Sequence, residues 1–368
     1  MNKQLFAVLT ALALAAVACS SGGEVAATDT EAPATTEGAE VATTEVATTE
    51  VATTEVATTE APADVEPKAP DTTELGPQGC SSQTPGVTSV TLDAGGAEHP
   101  LRIFLPSNYD GSPMPLVMNW HGLGSEGPQQ AQFSGYETLA EAEGFVVAHP
   151  TGVPAPGDTR NSWELAQFDD PGRDDIVMAE SMIDYIIANY CADPARVYST
   201  GMSNGGFFTS RLVCELPDRI AAAVSVAGLT HPGGCDPSRA VPFMAFHGTA
   251  DAVVPFDGGT SSLVEDNATP DALDFFNQVM PVEFADFAAS NSCDLEPTVE
   301  AVSSEVIRYD YLSCADGVPQ VFFEITDGGH TWPGSPLGPF VVDTLGYTTN
   351  DVNATADGWA FMSQFSLE

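Results

Sequence analysis

The feature that most constrains this chain is a short strand, a glycine-rich turn and a helix at residues 195–212, ARVYSTGMSNGGFFTSRL. Residues 196–200 have β-type composition, and the turn carries the pattern Gly-x-Ser-x-Gly centred on Ser203. Such a turn strains the serine backbone and pushes its hydroxyl out of the sheet, so its neighbours two positions away must be small. Gly201 and Gly205 meet that requirement. We therefore expect Ser203 to be a nucleophile, against the alternative of an ordinary Gly/Ser turn.

The first 19 residues have the pattern of an export signal. Lys3 supplies the positive end, residues 5–17 are apolar, and small residues precede Cys19. The apolar run is too short to cross a bilayer. Residues 16–19, AVAC, resemble a bacterial lipobox, which predicts that Cys19 is lipidated and holds the protein at a membrane surface without spanning it. The alternative is simple cleavage near Ala18.

Residues 20–79 form a low-complexity segment. VATTE occurs four times in succession at 41–60, and a proline-rich stretch follows. The segment has no aromatic residue and therefore too little apolar surface to offset the entropy of ordering. We predict a disordered, acidic, self-repelling linker.

The remaining residues, 80–368, have the length of one large α/β domain. The formal net charge of the whole chain is −42, and from Cys80 onward there are eight arginines and no lysine. Nucleic acid is excluded as a partner by this balance, because phosphate binding requires Lys and Arg. An acidic, lysine-poor surface is suited to a salty medium in which self-repulsion is screened.

Six cysteines remain beyond Cys19, an even number that predicts disulfides in an exported protein. Six cysteines allow 15 pairings. We favour two local bridges beside the candidate catalytic segments, with a third left by elimination: Cys214–Cys235, Cys293–Cys314 and Cys80–Cys191. Free buried thiols are the alternative. The chain contains no C-x-x-C and no H-E-x-x-H, so we predict no metal site.

Strand-like and helix-like segments alternate through the domain. An antiparallel hairpin is expected first, at 87–92 and 100–106. Further strands are expected at 115–120, 145–149, 196–200, 221–227, 241–247 and 321–325, and helices at 137–143, after Asp174, at 205–212, within 271–290 and near 356–365. This order predicts a mostly parallel sheet with helices on both faces, and catalytic residues on loops at the carboxyl ends of its strands.

A serine nucleophile needs a base and an acid, which in a fold of this kind follow in the chain order Ser, acid, His. Asp251 comes four residues after the strand ending in His247, and His330 is the only histidine after Asp251. His330 lies in a Gly-rich loop directly after the last strand. We predict Ser203, Asp251 and His330 as a triad, with His247 in a structural role. The rival acids are Asp257, Asp266 and Asp327.

The same chemistry needs N–H donors for an oxyanion. We assign the N–H of Asn204, which follows the nucleophile, and the N–H of Leu123 in the loop HGLG, with Gly122 as the alternative. A simple glycine turn is the competing interpretation of HGLG. Trp163 and Trp332 are candidates for a substrate wall, although core packing is an equal alternative for Trp163.

Four motifs carry a family resemblance: HGLG at 121–124, GMSNGG at 201–206, FHGTADAVVPFDGG at 246–259 and GGHTWPG at 328–334. In this order and spacing they resemble the polyhydroxybutyrate depolymerase-type esterases, a group that includes feruloyl and acetylxylan esterases. The resemblance implies an α/β-hydrolase fold and a secreted serine esterase with Ser203, Asp251 and His330 as its triad. Neither a metal nor an organic cofactor is implied.

The substrate stays open between two ester classes. The first is a polyester or hydroxyacid oligomer, and the second is feruloylated or acetylated plant polysaccharide. A peptidase of the same fold and a catalytically silent surface lipoprotein that only binds ligand are further alternatives. Extracellular polyester depolymerases often carry a separate polymer-binding domain, and here the linker leads instead to the predicted lipid anchor, which argues against attack on insoluble granules.

Overall fold

The computed structural model describes residues 83–165, 172–231, 235–259, 261 and 278–368. Its strands are β1 Gly86–Ala94, β2 Ala97–Leu105, β3 Met114–Trp120, β4 Val146–Pro150, β5 Val153–Pro154, β6 Asn161–Ser162, β7 Ala192–Met202, β8 Ala222–Val226, β9 Phe243–Gly248, β10 Thr298–Ala301, β11 Val306–Tyr311 and β12 Gln320–Ile325. Its α-helices are α1 Gly127–Ser134, α2 Tyr136–Glu143, α3 Asp175–Tyr190, α4 Asn204–Glu215, α5 Met280–Ser290, α6 Gly338–Leu345 and α7 Ala354–Met362, with a short 3₁₀ helix at Ala315–Gly317.

One large sheet organises these elements. Its strand order is β1-β2-β4-β3-β7-β8-β9-β12-β11-β10. The six central strands, from β4 to β12, pair in parallel, and antiparallel strands extend the sheet at both ends. The order doubles back between β2 and β7, as in doubly wound sheets whose sites lie at the carboxyl ends of the strands. The predicted α/β-hydrolase fold is confirmed.

Each face of the sheet packs against its own layer of helices. In β3, Leu116 and Met118 belong to one core cluster and Val117 to the other, as the two-residue period of a strand requires. Side chains from α3, α4 and α5 fill the first cluster, and side chains from α2 and α7 fill the second. The central strands β4, β8 and β9 are buried along their whole length, since both of their faces are covered.

Local sequence explains where several elements begin. The side chain of Asp174 accepts hydrogen bonds from the N–H groups of Ile176 and Val177, so it caps α3 as predicted. Asn353 caps α7 in the same way. The expected helix within 271–290 begins, in the described residues, at Met280. Strands β10 and β11 were not expected; β10 is four residues long and exposed at every position.

Two of the three favoured disulfides are present, Cys214–Cys235 and Cys293–Cys314. Cys80 lies outside the described residues, so its pairing with Cys191 stays a prediction. The export signal at 1–19 and the linker at 20–79 also lie outside them and stay predictions. Among the described helices, none has the length and apolar character needed to span a membrane.

Candidate active site

Ser203 lies at the sharp junction between β7 and α4. Its backbone has φ 56° and ψ −122°, a conformation that costs a non-glycine residue about 1–3 kcal/mol. Neighbouring backbone holds it there: its N–H donates to Val226 O at 2.9 Å, and its carbonyl accepts from Phe207 N–H at 2.9 Å. The strained serine on a strand–turn–helix junction is the geometry that the Gly-x-Ser-x-Gly pattern predicts.

The two glycines of the pattern are needed because backbone crowds both positions. A Cβ added to Gly201 would lie 2.3 Å from the carbonyl oxygen of Gly205. A Cβ added to Gly205 would lie 2.3 Å from the carbonyl oxygen of Trp120, in β3. Both contacted atoms are backbone oxygens, which cannot move aside as the end of a flexible side chain could. The turn can therefore be this tight, and this close to β3, only with glycine at both positions.

The structure brings Asp251 and His330 together. His330 Nδ1 lies 2.8 Å from Asp251 Oδ2, and the carboxyl side chain is fully buried. Because an ionised carboxylate only accepts hydrogen bonds, Nδ1 carries the proton of the neutral ring, which leaves Nε2 without one. The imidazole therefore has the tautomer that a general base requires at its free nitrogen.

The carboxylate of Asp251 is held in place from its other side. Its Oδ1 accepts from the N–H groups of Val253 and Val254, each at 2.8 Å. Burial acts to raise the pKa of Asp251, but the charge and hydrogen bond of His330, with smaller contributions from His247 and Val254, bring it below its usual value. Asp251 is therefore ionised at neutral pH despite its burial.

His247 has the structural environment expected for it. Its Nε2 lies 2.8 Å from the carbonyl oxygen of Val254 and 3.5 Å from Asp251 Oδ2. Burial lowers the pKa of His247, although the nearby carboxylate of Asp251 acts to raise it. A neutral ring that donates to Val254 closes the turn carrying Asp251.

The sheet order explains why distant residues converge. Ser203 follows β7, Asp251 follows β9 and His330 follows β12, and these strands lie in the parallel series β7-β8-β9-β12. Parallel neighbours end at the same edge of a sheet, so all three residues lie at that edge. Of the rival acids, Asp257 and Asp327 are exposed, and Asp266 lies outside the described residues.

The HGLG loop lies against the nucleophile. A Cβ at Gly122 would be 3.3 Å from Ser203 Cβ and 3.9 Å from its Oγ, so the backbone of this loop borders the serine. Leu123 is half-buried in the same loop. The N–H of Asn204 belongs to the first turn of α4, where N–H groups have no intrahelical acceptor. Both predicted oxyanion donors therefore lie in segments that border Ser203.

His121 holds that loop in its conformation, a role that the sequence did not indicate. Its Nδ1 donates to the carbonyl oxygen of Gly122 at 2.7 Å, and its Nε2 accepts from Gly152 N–H at 2.9 Å. Burial lowers the pKa of His121 to about 4. The ring is therefore neutral at physiological pH, as an accepting Nε2 requires.

The prediction that Trp163 lines the substrate site is wrong. Only 2% of Trp163 is exposed, and its ring stacks on Phe208 and packs edge-on against Trp120. Its indole N–H donates to His121 O at 2.8 Å. Its backbone N–H and carbonyl pair with the side-chain amide of Asn204 at 2.6 and 3.1 Å. Trp163 therefore braces the HGLG loop against the start of α4 from inside the core.

The prediction that Trp332 lines the substrate site is also wrong. Its side chain is fully buried, and its indole N–H donates to Thr355 Oγ1 at 2.9 Å. The ring packs edge-on against Tyr136, between α2 and α7. Because its ring is packed in the core and its N–H is hydrogen-bonded there, the indole cannot reach a substrate. Trp332 lies two residues after His330, so it anchors the His330 loop to the core.

A buried ion pair supports the loop that carries Trp163. Arg173 and Asp175 contact each other with side chains 6% and 0% exposed. The guanidinium also donates to the carbonyl oxygen of Val153 at 2.9 Å, and Asp175 accepts from Glu164 N–H at 2.8 Å.

Among the described residues, no group of three or more His, Cys, Asp or Glu side chains is arranged to hold a metal ion.

Known proteins are similar to this chain in sequence. Residues 101–260 match the Esterase PHB depolymerase family. Feruloyl esterase B of Piromyces equi is 28% identical over 268 residues, which cover 71% of this chain and 44% of that protein. The bifunctional acetylxylan esterase/xylanase XynS20E of Neocallimastix patriciarum is 32% identical over 161 residues, covering 44% and 22%. The chain thus spans less than half the length of either relative.

Among solved structures, the acetyl xylan esterase from Aspergillus awamori is 18% identical, with a TM-score of 0.47, covering 67% of this chain and 94% of that one.

The span 101–260 that matches the Esterase PHB depolymerase family begins in β2 and includes both Ser203 and Asp251. Together with the esterase relatives, this match shows that the chain is similar to the polyhydroxybutyrate depolymerase-type and feruloyl esterases.

Proposed function

We propose that this protein is an exported serine esterase that cleaves carboxylic esters through Ser203, His330 and Asp251. The observation that carries the proposal is the 2.8 Å hydrogen bond from His330 Nδ1 to the buried Asp251 carboxylate. This hydrogen bond supports a His330 ring whose Nε2 can accept a proton. The ring lies at the same edge of the sheet as Ser203, which is held in a strained turn. The match of residues 101–260 to the Esterase PHB depolymerase family supports ester chemistry independently.

The mechanism has two steps. His330 Nε2 takes the Ser203 proton as the hydroxyl oxygen attacks the ester carbonyl, and Asp251 stabilises the imidazolium that forms. The N–H groups of Asn204 and Leu123, with Gly122 as the alternative to Leu123, hold the oxyanion. The alcohol leaves with the proton from His330, and water activated by the same ring then releases the acid from the acyl-enzyme. No metal or organic cofactor takes part.

The substrate we favour is an ester of a hydroxyacid oligomer, of the type that polyhydroxybutyrate depolymerases cut. The second candidate is an acylated plant polysaccharide, because the relatives include a feruloyl esterase and an acetylxylan esterase. The export signal, lipidation at Cys19 and attachment to the outer face of the cell membrane complete the proposal. They rest on the pattern of residues 1–19 alone.

Hydrolysis of a chromogenic short-chain ester tests the activity. We expect turnover by the wild type, and losses of about 10⁴-fold or more in kcat for Ser203→Ala and about 10⁴-fold for Asp251→Asn. Asp257→Asn, at an exposed rival carboxylate, is the matched control and should stay active. A folded wild type with no turnover would refute the proposal. Methyl ferulate, acetylated xylan and hydroxybutyrate oligomers, compared by kcat/KM, then decide between the substrate classes.

A further inference from the structure

The loop that carries His330 is held by a segment that follows it in the chain. Gly329 N–H donates to the carbonyl oxygen of Tyr347 at 2.9 Å, and the hydroxyl of Thr331 donates to the same oxygen at 3.1 Å. Farther along the loop, Gly334 N–H donates to Thr349 O at 2.9 Å. These bonds lie on both sides of His330 in sequence. The position of the ring therefore depends on where the segment 347–349 is held.

Glu305, in the turn between β10 and β11, holds that segment. Its Oε2 accepts hydrogen bonds from the hydroxyls of Tyr347 and Thr349, each at 2.8 Å. Its carbonyl oxygen also accepts from Thr326 N–H at 2.7 Å, directly after β12. One residue thus contacts the end of the strand that precedes the His330 loop and the segment that supports it.

We propose that Glu305 is a positioning residue for His330, acting through Tyr347 and Thr349. The proposal rests on the function assigned to His330 above. A carboxylate suits this role because it only accepts hydrogen bonds, and a charged oxygen can take both hydroxyls with stronger bonds than a neutral one. Small displacements of a catalytic group change the rate far more than they change substrate binding.

The surroundings of Glu305 separate this role from a contribution to stability. Tyr347 is 41% exposed and Glu305 is half-buried, so water competes for the hydrogen bond from Tyr347, whereas Thr349, the other donor, is only 1% exposed. Loss of the contact should therefore lower the melting temperature only through the Thr349 hydroxyl and leave the protein folded, while the His330 loop loses one of its supports. We expect the effect in kcat rather than in KM.

The test compares Glu305→Leu, Glu305→Gln and the matched control Glu296→Leu. Glu296 is exposed, and its replacement changes the net charge by the same amount. We expect Glu305→Leu to lower kcat by about 10- to 100-fold with KM changed less than about twofold. Glu305→Gln, whose amide oxygen still accepts, should recover most of the rate, and Glu296→Leu should match the wild type.

A second pair of variants examines the other end of the contact. Thr349→Val removes the hydroxyl at nearly constant volume and should lower kcat, whereas Thr349→Ser keeps it and should not. Melting temperatures of all variants, and the labelling rate of Ser203 by a fluorophosphonate, are measured alongside. Wild-type kcat in Glu305→Leu, or a loss of rate that follows a loss of folded protein, would overturn the inference. If the wild type itself neither turns over nor labels, the proposed function has failed instead.

Discussion

Replacing His149 by leucine should make the stability of this fold less sensitive to acid. His149 lies in β4 and is fully buried, and neither ring nitrogen has a hydrogen-bond partner among the described residues. Its Nε2 lies 3.9 Å from Glu137 Oε1, beyond hydrogen-bond distance. Burial, reinforced by the charge of Arg102, lowers the pKa of His149 to about 3. The folded protein therefore keeps this ring neutral.

The sign and size of the effect follow from proton linkage. The unfolded chain binds a proton at His149 below its ordinary pKa of 6.5, and the folded chain does not until about pH 3. The contribution of neutral His149 to the free energy of unfolding is therefore fully present above pH 6.5 and is lost as the pH falls toward 3. Between pH 7 and pH 5 the loss amounts to about 2 kcal/mol.

The loss of unfolding free energy caused by His149 can be measured by guanidinium unfolding. The wild type and His149→Leu are compared at pH 7, 6 and 5, at constant salt. The difference in unfolding free energy between the two proteins should shift by about 2 kcal/mol in favour of the variant from pH 7 to pH 5. Carboxylates titrate alike in both proteins and cancel. Met118→Leu, a buried change in the neighbouring strand β3, is the control and should give a curve parallel to the wild type. A parallel curve for His149→Leu would refute the reasoning.

Two further predictions concern the tight turn at Ser203 and the net charge of the protein. Gly205→Ala places a Cβ 2.3 Å from Trp120 O, so the turn at Ser203 must shift; we expect at least about 100-fold lower kcat and a lower melting temperature, and near-wild-type activity would contradict the crowding argument. Molar salt should raise the melting temperature, because the 52 acidic residues of the chain outnumber its 10 Lys and Arg, and seven of the eight arginines in 80–368 already pair with carboxylates among the described residues. A melting temperature independent of salt would count against self-repulsion.

The parallel sheet and the tight turn at Ser203 could be predicted from the sequence because each depends on local pattern. A buried central strand shows as a continuous apolar run, and the tight turn at Ser203 shows as glycines two positions to each side. Chain order then selected Asp251 and His330, since strand ends that alternate with helices meet at one edge of a parallel sheet. These inferences need no knowledge of which side chains touch.

The orientations of two tryptophans could not be predicted from local sequence pattern. Trp163 and Trp332 each lie beside a segment of the site, and proximity in sequence does not tell which way an indole points. In the structure both rings are buried and both indole N–H groups donate to partners at least 23 residues away, His121 O and Thr355 Oγ1. These distant contacts decide how each indole is oriented. No local sequence pattern could therefore have distinguished a tryptophan that lines the substrate site from one that packs in the core.

The support of His330 depends on parts of the chain that local pattern could not connect. Glu305 reaches Tyr347 and Thr349, 42 and 44 residues away, from a turn between two strands that the sequence did not predict. The parallel strands bring Ser203, Asp251 and His330 to one edge by a rule that holds for every sheet of this type. The antiparallel strands β11 and β10 pair beyond β12, and so put a carboxylate beside the end of the strand that delivers the histidine. The sheet edge thus determines which residues meet, and its antiparallel extension supports the loop that carries His330.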